Sequence, residues 1–153
     1  MSTLGLVHTV LALMALGLGA LVLARSKSGR WHRSLGHLYF GLMVAMNMTG
    51  LFMTQLFGGF GPFHWMAVAT LIILAAGIST VLLRWPAKGW RKLHGHFMAA
   101  SYVALVAGAG AEVGSRLPGV PRGMGIIVPS VLIVAIGIYL IITRIEPTQP
   151  KTV

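Results

Sequence analysis

The chain has no cysteine, and Glu112 and Glu146 are its only acids. Without cysteine there are no disulfides, no thiolate metal ligands and no thiol nucleophile. Aspartate is absent altogether, which excludes a Ser–His–Asp arrangement. Charge in general is scarce: 9% of the 153 residues are charged against 56% hydrophobic, and the mean hydropathy is +0.84. Soluble domains carry about 25% charged residues, so this composition reads as a polytopic membrane protein with the lipid bilayer as its first partner. The net charge of +10 invites a nucleic-acid reading, but the basic residues have another reason to be where they are.

Five apolar runs are present, over 3–24, 35–57, 63–83, 93–115 and 124–143. At about 1.5 Å per residue each is long enough to cross a hydrocarbon core of roughly 30 Å. The first run has no basic segment ahead of it and no small-residue cleavage site before Arg25, so it reads as a retained helix rather than a signal peptide. Between the runs the basic residues alternate. ARSKSGRWHR and RWPAKGWRK hold four each and the tail two, which puts ten of the twelve on one side. The opposite loops supply only Arg116 and Arg122. The positive-inside rule then sets the N-terminus outside and the tail, 144–153, in the cytoplasm; Trp31, Trp85 and Trp90 gather at that same boundary as interfacial anchors. The expected fold is all-α. It has five transmembrane helices, an up-down four-helix core with a fifth helix alongside, and one transmembrane domain over 1–143.

Within the fourth run, His94, Ser101, Leu105, Gly108 and Glu112 fall within about 40° of one line at ~100° per residue. A small or polar line on an apolar helix faces protein, water or a cofactor, since ionisable groups are costly in lipid. Small residues elsewhere, such as Ala12, Ala15 and Gly19 beside His8, let helices approach closely. Gly36 would do the same for a neighbouring ring or helix. Met43, Met46 and Met53 share a face of the second helix; packing explains them better than copper, because no Met-rich loop accompanies them.

The topology sorts the six histidines. His8 and His64 come near the outer ends of the first and third helices; His32 and His37 come near the inner end of the second, and His94 and His96 near that of the fourth. Alternate helices of an up-down bundle face each other across its centre, so each pair is placed to grip one flat group. A b-type haem fits, ligated from both faces by neutral imidazoles, with its propionates toward Arg33, Arg91 and Lys92 inside or Arg116 and Arg122 outside. Two haems at different depths would carry electrons across the membrane. His32 and His37 lie about 140° apart and His94 and His96 about 200° apart, so one of each pair is a spectator. The bland alternative is that histidines near span ends only hydrogen-bond a backbone carbonyl.

A different chemistry uses His8, His64 and Glu112, all at outer helix ends: two histidines and a carboxylate suit zinc or non-haem iron with open positions. Glu112 is also placed to transfer protons beside a haem, or to pair with Arg116 one turn on. A third expectation is a cofactor-free accessory subunit of a larger membrane complex. A transporter is disfavoured, since five helices without an evident inverted repeat offer little for alternating access.

His8, the stretch HRSLGHLY from His32 to Tyr39, FHWMAVATL from Phe63, LHGHFMAASY from Leu93 and AEVGSRLP from Ala111 together resemble a bacterial family of predicted membrane proteins of unknown function. That likeness covers nearly the first 120 residues and implies an inner-membrane location. The same motifs distantly resemble the four-helix core of the ascorbate-reducible two-haem cytochromes b. That resemblance implies one haem between His8 and His64 and another between His32, with His37 as substitute, and His94. It also implies electron transfer, with quinol or a redox protein as partner. This chain departs from that family in having no sixth helix and no clear ascorbate site beyond the basic inner loops.

Overall fold

A computed structural model describes residues 2–55 and 57–145, and five α-helices run through them: α1 (Thr3–Ala24), α2 (Gly29–Leu51), α3 (Pro62–Leu83), α4 (Trp90–Gly114) and α5 (Arg122–Ile145). Among the described residues there is no strand. Of the tail expected over 144–153, everything from residue 146 on, including Glu146, lies outside the described residues. Four helices, all but α2, are long and apolar enough to cross a membrane. Their surfaces agree with that. Leu6 and Leu13 on α1, and Ile127, Ile136 and Ile142 on α5, are more than half exposed, which is lipid contact in a membrane and a liability in water.

The helix ends follow local chemistry. Ser2 caps α1 by accepting from the Gly5 N–H at 3.1 Å, and Pro62 opens α3, where its missing N–H costs nothing. Gly89, with φ near +98°, supplies the left-handed turn before α4. The largest departure from the sequence reading concerns the second helix. Expected over 35–57, it runs instead over Gly29–Leu51. The polar stretch GRWHRS is competent helix once Ser28 ends the loop, whereas the apolar residues beyond Leu51 lead into the glycine-rich GGFG turn and leave the helix. Hydrophobicity marks depth in the membrane; backbone hydrogen bonding marks the helix.

The chain divides into two compact units, Met1–Leu74 and Ala75–Val153, with the boundary inside α3. In the first, α1 packs on α2, with Gly5, Ala15 and Gly19 buried on α1 and Tyr39, Leu42, Met43 and Met46 buried on α2. The two methionines are core filler, as expected. In the second unit α4 packs on α5 through glycine. A Cβ added to Gly114 would strike the Gly125 carbonyl oxygen, and one added to Gly125 would strike Gly114's carbonyl. Pro129 has no N–H to give the Gly125 carbonyl four residues back, so that oxygen is bare where α4 closes on it. Gly36, by contrast, has no protein atom within 4 Å of where its Cβ would be, so no neighbouring helix approaches it closely among the described residues.

Several hydroxyl and amide side chains inside the helices are satisfied locally. Thr9, Asn47, Thr70, Ser101 and Ser130 each donate to a carbonyl three or four residues back, at 2.7–2.9 Å. Such back-bonding is how apolar spans tolerate hydroxyls and amides.

Candidate functional site: two histidine anchors and a buried imidazole

Three histidines matter for what their ring nitrogens do. His8 on α1 places Nδ1 3.0 Å from the Met46 carbonyl oxygen of α2 and 3.1 Å from Thr49 Oγ1. A carbonyl can only accept, so Nδ1 carries the proton and donates, and in the neutral ring Nε2 holds the lone pair. Thr49 gives its own hydroxyl hydrogen to the same carbonyl at 2.7 Å.

The second unit repeats this chemistry on different helices. His94 Nδ1 of α4 lies 2.9 Å from the Gly77 carbonyl oxygen of α3, and Thr80, three residues on, donates to that carbonyl at 2.8 Å. Again Nε2 is the basic nitrogen. Each anchor has a glycine making room. A Cβ on Gly50 would sit 3.2 Å from His8 Cε1, and one on Gly77 would sit 3.0 Å from Met98 Sδ and 3.1 Å from Phe97 Cβ. The sequence reading anticipated neither threonine, and the signal was slight: a Thr in an apolar span is usually satisfied by its own helix, as these are.

His96 also donates from Nδ1 to a carbonyl, Lys92 at 2.8 Å, but within its own helix turn. Of the pair on α4, His94 therefore reaches another helix, whereas His96 bonds within its own. On α2, His32 is half-buried and His37 exposed.

His64 has the opposite polarity. It is 2% exposed, and its Nδ1 accepts from the Gly61 N–H at 3.0 Å, so Nε2 carries the proton in the neutral ring. That Nε2 is buried and, among the described residues, has no hydrogen-bond partner. Phe60 lies against the ring with centroids 4.8 Å apart. In this arrangement His64 offers a donor. To ligate a metal through Nε2 it would have to give up the Gly61 contact and move its proton to Nδ1.

Glu112 is tied to Arg116 by a side-chain ion pair one turn along the helix, and its side chain is 45% exposed. The interior line on α4 holds for Ser101 and Leu105, both buried, and ends there; Glu112 turns outward to its cation. Arg33 is exposed on α2, and Arg116 is occupied by Glu112. Among the described residues, no group of three or more His, Cys, Asp or Glu is placed to hold a metal ion.

Long apolar helices, lipid-facing side chains and internally satisfied polar groups define a helical membrane protein. The chain belongs to the predicted membrane protein family DUF2306, whose family model matches residues 5–142. No curated protein matches the chain, and no solved structure does, so the likeness to the two-haem cytochromes b rests on the sequence motifs alone.

Proposed function

We propose that the protein is a b-type haem electron carrier of the bacterial inner membrane, with His8 and His94 as the primary ligands. The observation that carries this reading is the tautomer fixed at both anchors. Each imidazole donates Nδ1–H to a carbonyl of a neighbouring helix and keeps a basic Nε2. A hydrogen bond of that kind fixes tautomer and ring orientation in metal-ligating histidines. His8 and His94 belong to different units, so each would give one axial nitrogen to a separate haem. A haem held there would supply one-electron transfer.

The chain's own part is to hold the rings. The Met46 and Gly77 carbonyls fix the tautomers, Thr49 and Thr80 share those carbonyls, and Gly50 and Gly77 admit the neighbouring side chains. In this reading α2 is the fifth span. Its 23 residues reach about 35 Å at 1.5 Å per residue, enough for the hydrocarbon core, and its buried Asn47 is satisfied inside the helix by Met43 O. The loop charges set the N-terminus outside, and quinol or a redox protein exchanges electrons with the carrier.

The test is a dithionite-reduced minus oxidised absorption spectrum of the detergent-purified protein, expressed with haem precursor. The proposal expects b-type α and Soret bands, diminished in His8→Ala and in His94→Ala and unchanged in His96→Ala. A colourless wild-type protein defeats it.

A further inference from the structure

Where α1 ends and α2 begins, the first unit carries a cavity of about 150 Å³. Its polar wall is Arg25, Ser26, Ser28, Arg30 and His32, and Val22 and Leu35 are among its apolar lining. Arg25 and Arg30 both line this small concavity, and the only carboxylate among the described residues, Glu112, is bound to Arg116 in the other unit. Two arginines on the rim of one concavity repel each other, and an oxyanion between them would relieve that repulsion with charge-assisted, forked hydrogen bonds. Ser28, the residue before α2, makes no side-chain capping bond, so the first amides of the helix add donors on the same side. The apolar lining distinguishes this cavity from a merely solvated charge cluster. Trp31, also part of the lining and 74% exposed, is the kind of ring that sits at headgroup depth.

We propose that this cavity binds a phosphate-ester anion, the headgroup phosphate of an anionic phospholipid, with Arg25 and Arg30 as the principal donors. Basic pockets between helices at the cytoplasmic interface are suited to such headgroups, and the apolar lining receives the first carbons beyond the phosphate. The site is separate from both histidine anchors, His8 and His94, although His32 of α2 is part of its lining.

The experiment is native mass spectrometry of the full chain in detergent, titrated with phosphatidylglycerol, with phosphatidylcholine as the zwitterionic control and inorganic phosphate as competitor. Phosphatidylglycerol is expected to bind in preference to phosphatidylcholine. Arg25→Gln/Arg30→Gln should weaken it about 30-fold, from roughly fivefold per arginine. Lys27→Gln/Lys88→Gln, with the same loss of charge outside the cavity, should leave it nearly intact. Should the arginine pair fail to fold, Ser28→Asp keeps a good helix cap while placing a carboxylate in the cavity, and must show the same loss. Displacement of the lipid by millimolar phosphate, together with phosphate binding lost in the variants, would keep the anion site and assign it to soluble phosphate esters. Equal binding of the two lipids, or phosphatidylglycerol binding unchanged in the arginine and Ser28 variants, overturns the proposal.

Discussion

His94 Nδ1 lies 2.9 Å from the Gly77 carbonyl oxygen, and this one bond decides which nitrogen of the ring is free to act. It also joins α3 to α4, so the contact has a structural effect alongside any chemical one. Substitution separates the two. His94→Asn can still donate to Gly77 and should hold the helices to within about 1 kcal/mol of wild type, the net worth of one hydrogen bond, while losing the ligand nitrogen. Thermal unfolding followed by tryptophan fluorescence, read beside the haem spectrum, should show a near-normal melt with haem lost. A near-normal melt with haem retained would take His94 out of the ligand set.

His64 gives the sharpest contrast. Its Nε2–H is buried without a partner, a situation that costs about 1–3 kcal/mol. His64→Phe removes that donor at similar volume beside Phe60 and should raise stability, with haem content unchanged. Loss of haem in His64→Phe would instead show that the ring turns away from Gly61 to ligate, as the two-haem likeness implies.

Glycine substitutions should divide by contact. Gly114→Ala and Gly125→Ala force a methyl group into a facing backbone carbonyl and should cost about 1–3 kcal/mol or more, read as a lowered melting temperature in detergent. Gly17→Ala and Gly36→Ala, with nothing within 4 Å, should be neutral or stabilising by up to about 1 kcal/mol through helix propensity. Equal effects at all four positions would contradict the packing described for α4 and α5.

The Glu112–Arg116 pair is exposed and sits at i,i+4 spacing, where such pairs are worth about 0.3–0.5 kcal/mol and are screened by salt. Glu112→Gln should therefore shift the melt only slightly, less at high salt, and should leave any bound metal unchanged. Loss of stoichiometric zinc in that variant would bring back the two-histidine, one-carboxylate site.

Most of the fold can be read from apolar run lengths, because four of the helices coincide with their runs to within about three residues. The second does not, since charge and hydropathy report where lipid begins whereas α2 starts in polar residues at Gly29. Helical periodicity correctly predicted that Ser101 and Leu105 would be buried, and spacing alone suggested the Glu112–Arg116 pair. The anchors were harder. His8 and His94 stand out as residues, but their partners are backbone carbonyls, and every residue has one. Which glycine meets a neighbour is equally silent in sequence: Gly36 looks as promising as Gly77, and only the helix packing distinguishes them.

The central claim is that His8 and His94 hold haem. Its most direct test is the haem-to-protein ratio of the purified full chain, by pyridine haemochrome against quantitative amino-acid analysis, in wild type and in the His8→Ala/His94→Ala double variant. At least one haem per chain in the wild type and essentially none in the folded double variant is the predicted result. A wild-type ratio near zero under haem-replete expression, or an undiminished ratio in the double variant, would contradict it.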